Sequence, residues 1–210
     1  MRLALIAPVE LGPKQRPIYE DMRAGIEKNF QGFKSIAENG ALMGPWNPWL
    51  HEPKFGKPTR DLTLALSTSP SLPRTIGEVA ILVTGAKFRS SYELYAHVIA
   101  AERSGLSDDK LAAIVAGQRP GDLSPEEAIA YDVASALVEY GTLPELTYRQ
   151  AAQAFGRHGA AELIYLVGLC CLVSVTLNGI DVPAPELNAG RSAILENGEL
   201  RSPIDHVPID

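Results

Sequence analysis

The chain has 210 residues, 46% of them hydrophobic and 21% charged, and a formal net charge of −6. That is enough apolar material for one globular domain with a sizeable core, and its 19 basic residues are scattered rather than interleaved with aromatics, which argues against a nucleic-acid surface. The two cysteines, Cys170 and Cys171, are adjacent. Neighbours on a helix point about 100° apart, which excludes an ordinary disulfide or a Cys-x-x-Cys redox pair and points to a reducing, cytoplasmic compartment.

At the start, "MRLALIAPVELGPKQ" carries a short apolar run cut off by Pro8, too short for a signal peptide. "RPIYEDMRAGIEKNFQGF" follows with the spacing of an amphipathic helix. "GALMGPWNPWLHEPKFGKP" then reads as a loop dense in Pro and Gly that contains both tryptophans, Trp46 and Trp49. Residues 1–52 are therefore expected to form an N-terminal arm on a helical core spanning 53–181.

Within the core, "LPRTIGEVAILVTGAKF" opens a helix at Pro73, with Ile76, Val79, Ala80 and Val83 at helical spacing. Glu78 interrupts this apolar run. The next segment, "FRSSYELYAHVIAAERSG", predicts a helix from about Ser90 to Gly105. "LSDDKLAAIVAG" places Ser107 as cap, Asp108 and Asp109 in the positive first turn, and Gly117 at the end. "SPEEAIAYDVASALVEYG" has the capping-box grammar of Ser124, Pro125 and Glu127, closed by Gly141. A helix from Thr147 to Phe155 and an apolar one from about Ala160 to Leu177 follow, with Asn178 expected to cap the latter. That apolar stretch falls short of a membrane span and reads as a core helix that includes Cys170 and Cys171. Residues 182–210 form a Pro-containing tail. Alternating strand patterns are absent, so the expected class is all-α.

Glu93 and His97 stand four residues apart and share a helix face, with Tyr92, Tyr95 and Ser90 around them. Such a pair is commonly a solvated surface contact. Here the neighbours are aromatic and aliphatic, and Glu78 on the preceding helix needs a partner if buried. A Glu–His–Glu cluster in an apolar wall would be a general acid–base site, since flanking carboxylates hold an imidazole protonated. With one histidine in the group, metal ligation is the weaker reading.

The stretch "GEVAILVTGAKFRSSYELYAHVIAAERSGLS", with Glu78, Tyr92, Glu93, His97 and Gly105-Leu106-Ser107, resembles the core of the carboxymuconolactone decarboxylase family, in the alkyl hydroperoxidase D-like superfamily. The resemblance covers about residues 30 to 180. It implies an all-α helical bundle, a homo-oligomer, and a pocket lined by Tyr92, Tyr95, Ser90, Trp46 and Trp49. Hydroperoxidase members carry a Cys-x-x-Cys where this chain has Ser90 and Glu93, so the resemblance is to the branch without those thiols. Its implied chemistry needs no cofactor or metal. The substrate would be a small cyclic carboxylate or lactone, with His97, Glu93 and Glu78 as catalytic residues. The competing expectations are a thiol-dependent antioxidant protein and a non-catalytic helical oligomer with a vestigial pocket. No membrane or nucleic-acid partner is expected.

Overall fold

The computed structural model describes residues 1–29, 32–68, 71–139 and 141–185. Among them it is all-α, with an isolated bridge between Ile36 and Leu42 as the only strand-like pairing. Its helices are α1 (Arg16–Asn29), α2 (Trp46–His51), α3 (Pro53–Thr68), α4 (Arg74–Phe88), α5 (Ser91–Ser104), α6 (Asp108–Val115), α7 (Pro125–Glu139) and α8 (Glu145–Ile180). The segment expected as a Trp/Pro-rich loop thus contains the short helix α2 and the start of α3. Residues 186–210 of the expected tail lie outside the described residues.

The capping grammar reads through at α7. Ser124 N–H donates to Glu127 Oε2 at 2.8 Å, and Glu127 N–H donates to Ser124 Oγ at 3.2 Å. Ser107 stands at the N-cap of α6 in extended conformation, yet its side chain makes no capping bond. The two helices predicted at the C-terminal end are continuous except at Gly156, whose φ of 70° and ψ of 171° kink α8. Asn178 does not cap its own helix. Its side-chain amide lies one turn from the end of α8 and donates to Phe88 O at 2.7 Å, tying α8 to the last turn of α4.

Two apolar cores share α5 and α8. The first packs α4 and α7 against one side of α8, with α6 laid on α4 and α5, through residues such as Leu82, Leu111, Val133, Leu163 and Val167. The second sets the N-terminal third against α5 and the neighbouring stripe of α8, joining Met22, Leu42, Trp46 and Leu50 to Tyr92, Ala96, Leu169 and Val173. Gly44 lets that third approach closely: at φ 61° it lies against the Tyr92 ring, where any Cβ would collide. Further polar ties fasten it. Asn47 accepts from Ile6 N–H and donates to Ala4 O, and Arg2 N–H donates to Ile180 O at 2.8 Å. Residues 1–52 are therefore a structural wall of the molecule.

α8 is long and apolar enough to cross a membrane by length and composition. Here part of its surface is the contact for α4 and α7 and part faces the N-terminal third and the cavity, with Leu163, Val167, Cys170 and Leu177 buried. Its opposite side leaves Tyr165, Leu172 and Val175 exposed at 64%, 48% and 56%.

Candidate active site

The corner between α4 and α5 builds the site. Arg89 ends α4 in the left-handed region at φ 49°, and Ser90 N–H donates back to Gly85 O at 3.0 Å. Only these two residues separate the helices, so α5 folds straight back along α4. Gly85 leaves room for Leu94 and the Glu93 stem to pass. The turn delivers His97 to Glu78: Nδ1 stands 2.8 Å from Glu78 Oε2, and Nε2 stands 4.0 Å from Glu93 Oε1. On the other side, Arg74 Nε lies 3.6 Å from Glu78 Oε1. The carboxylates are both about 95% buried, whereas the His97 side chain retains 23% exposure.

Burial opposes a charged imidazole. The charge and hydrogen bond of Glu78, aided by the Glu93 charge, outweigh it and raise the His97 pKa to about 9. At neutral pH His97 is an imidazolium that donates Nδ1–H to Glu78. Its Nε2 is too far from Glu93 for a hydrogen bond, which leaves that proton for an acceptor in the cavity. Glu93 is itself pushed above the ordinary carboxylate range, chiefly by burial and also by Glu78, against the opposing His97 charge. The cluster is a donor–acceptor set whose carboxylates are buried and whose imidazole is partly exposed.

That wall belongs to a cavity of about 690 Å³, which Glu78, Tyr92, Glu93, His97, Trp46 and Trp49 all line. Tyr95 and Ser90 do not. Tyr95 turns its hydroxyl to the Lys34 N–H at 2.7 Å, and the Tyr92 hydroxyl donates to Lys34 O at 3.1 Å. The tyrosines thus clamp the chain at residue 34 onto α5, so the Tyr92 hydroxyl proton is already committed. Ser90 is fully buried at the N-cap of α5 and its hydroxyl has no hydrogen-bond partner. His51 likewise stands apart, with Nε2 2.8 Å from Ala4 O.

Two further residues belong to the site. Arg74 braces Glu78 from the first turn of α4. Cys170, expected as a plain core residue, lines the cavity with Glu93. Burial, then the Glu93 charge, pushes that thiol well above its ordinary pKa, so it stays protonated. Arg74 could have been read from its i,i+4 relation to Glu78; nothing in the sequence aligns Cys170 with Glu93. Among the described residues, no group of His, Cys, Asp and Glu side chains is arranged to hold a metal ion.

No family model and no curated protein sequence matches the chain. A solved structure does: the alkylhydroperoxidase AhpD core of an uncharacterized peroxidase-related protein from Ralstonia eutropha JMP134 superposes with a TM-score of 0.72. The match covers 88% of this chain and 92% of that one, at 14% identity. The fold is that of the alkylhydroperoxidase D-like all-α proteins.

Proposed function

We propose that the protein is an enzyme of cofactor-independent acid–base chemistry, a carboxy-lyase acting on a cyclic carboxylate or lactone whose carbonyl is conjugated to the departing carboxylate. The observation that carries this reading is His97 Nδ1 standing 2.8 Å from Glu78 Oε2 in the wall of a cavity lined by both apolar and charged side chains. In the proposed step the bond from the ring carbon to the carboxylate breaks and CO2 leaves. The electron pair enters the conjugated carbonyl as a dienolate. His97 Nε2–H then protonates carbon, and solvent restores its proton. A desolvated site favours loss of the carboxylate charge, and the fixed cation stabilises the enolate as it forms. Glu78 sets the tautomer and charge of His97, and Glu93 carries the second negative charge beside it.

A thiol-peroxidase reading draws on the peroxidase-related character given to the structural neighbour and on Cys170 at the cavity. The chemistry of this thiol opposes it. Its pKa is raised rather than lowered, and Cys171 does not line the cavity to resolve an oxidised partner. The same proposal places the protein in the cytoplasm as a homo-oligomer, with the exposed Tyr165, Leu172 and Val175 face of α8 as the surface between copies. The test of the activity is CO2 release from a panel of unsaturated lactone acids by the native chain and by His97→Gln. Turnover unaffected by that substitution sinks the reading.

A further inference from the structure

We infer that the α4–α5 corner and α8 enclose a hydrated polar seam, in which Ser90 and Ser174 share an ordered water and through which a proton reaches Glu93 from behind the cavity. The use of that proton in turnover rests on the acid–base reading above; the water site does not.

Ser90 and Ser174 are both fully buried, and among the described residues neither hydroxyl has a hydrogen-bond partner. Each forgoes a local one. A serine at an N-cap ordinarily accepts an N–H of the first turn, yet Ser90, at the N-cap of α5, makes no such bond. A hydroxyl inside a helix commonly donates to the carbonyl four residues back, as Thr84 does to Ala80 O at 2.9 Å and Thr176 to Leu172 O at 2.8 Å. Ser174 does not. A buried hydroxyl left unpaired carries the full cost of its desolvation, so two such groups side by side call for a shared partner. Buried water is the ordinary one, bound by polar groups that are otherwise unsatisfied.

The packing register brings the two hydroxyls to one level. α4 and α8 run parallel, since a Cβ at Gly77 would lie 3.6 Å from Leu166 Cδ2 and, at the far end, Phe88 O accepts from the Asn178 amide at 2.7 Å. Carried along both helices, this register sets Ser174 opposite Gly85. Gly85 O accepts the Ser90 N–H at 3.0 Å, and a Cβ at Gly85 would lie 3.5 Å from Glu93 Cγ. Ser90, Ser174 and the stem of Glu93 therefore meet around a residue that brings no side chain of its own. On α8, Cys170, Ser174 and Asn178 follow one another at four-residue spacing on one face. Cys170 lines the cavity and Asn178 is exposed, so the seam leads from the cavity wall to solvent at the end of α8.

In the acid–base reaction His97 gives one proton to carbon for each CO2 released and must take one back while product still occupies the cavity. The water at Ser90 and Ser174 receives a proton from the solvent side and passes one on, and both hydroxyls end as they began. Glu93, one helical turn beyond Ser90, takes the proton and returns it to neutral His97 Nε2, which stands 4.0 Å from Glu93 Oε1, through a small side-chain movement or one further water.

Denaturant melts of the full chain should compare Ser90→Ala, Ser174→Ala and the two together, with far-UV circular dichroism confirming the fold; the cycle cancels the helix preference of alanine. One shared water makes the changes non-additive, with a coupling of at least about fivefold in the unfolding constant. A crystal structure should place that water within about 3 Å of both Oγ atoms. Additive changes, or a crystal structure with no water between the two hydroxyls, would overturn the water site. Kinetics read the proton route separately. CO2 is lost before His97 is recharged, so Ser174→Ala should lower kcat for an unsaturated lactone acid by at least about tenfold and leave kcat/KM within about twofold. It should also raise the solvent deuterium isotope effect on kcat. A native kcat in Ser174→Ala would overturn the route. Coupling lost with His97-dependent turnover intact removes the inference alone; coupling retained in a chain that releases no CO2 removes the acid–base reading alone.

Discussion

Replacing Glu78 by Gln removes the charge 2.8 Å from His97 Nδ1 while keeping the side chain's volume. In the native protein, burial of His97 is outweighed by Glu78 and Glu93, and the imidazole titrates at about 9 instead of 6.5. That difference corresponds to about 3 kcal/mol of preference for the imidazolium in the fold. Without Glu78 the burial penalty faces only the more distant Glu93, so the pKa should fall to the ordinary histidine range or below it. A group whose pKa is raised by folding contributes stability that is complete below its unfolded value and is lost as pH rises through the folded one. The native protein should therefore lose up to about 3 kcal/mol of this contribution between pH ~6.5 and ~9, and Glu78→Gln should lack that loss. Histidine side-chain NMR reads the titration directly, and denaturant melts across the same pH range read the stability. A His97 that still titrates near 9 in Glu78→Gln would refute the assignment of Glu78 as the controlling charge.

Thiol chemistry should be dispensable: Cys170→Ala with Cys171→Ala should keep activity within a few-fold and cost about 1 kcal/mol per buried site in a denaturant melt. Peroxide turnover that vanishes in this double variant would contradict it. Gly44→Ala, which drives a methyl into the Tyr92 ring from a left-handed backbone position, should destabilise by about 1–3 kcal/mol, read as a lower unfolding midpoint. Leu172→Glu should reduce the mass measured by light scattering if α8 carries the contact between copies; a native protein that is already monomeric at micromolar concentration would remove that proposal.

Local grammar made much of the fold legible in the sequence. Ser124 and Glu127 satisfy each other as a capping box because both groups lie within one turn, and Gly105 ends α5 at φ 102° as a left-handed C-cap. The acid–base cluster was legible for a related reason: Glu93 and His97 share a helix face by spacing alone, and a carboxylate amid Ile76, Val79 and Ile81 had to find a partner nearby. What escaped depends on contacts between segments far apart in the chain. The Tyr92 and Tyr95 hydroxyls meet the backbone of Lys34, which no local pattern encodes. Cys170 lies on a helix so uniformly apolar that its periodicity does not distinguish a cavity face from a core face. Asn178 looked like the cap of its own helix, yet its amide finds Phe88 O across the α4–α8 packing.

The central claim is that His97 moves the proton in a thiol-free reaction, and one measurement addresses it most directly. Initial rates of CO2 release from an unsaturated lactone acid, in D2O so that protonation at carbon is read as deuterium incorporation, should be compared between the native chain and His97→Gln. The account predicts a fall of about 10²–10⁴-fold in both readouts with the fold unchanged, the usual effect of removing a general acid. A variant that releases CO2 and incorporates deuterium within a few-fold of the native rate would contradict it.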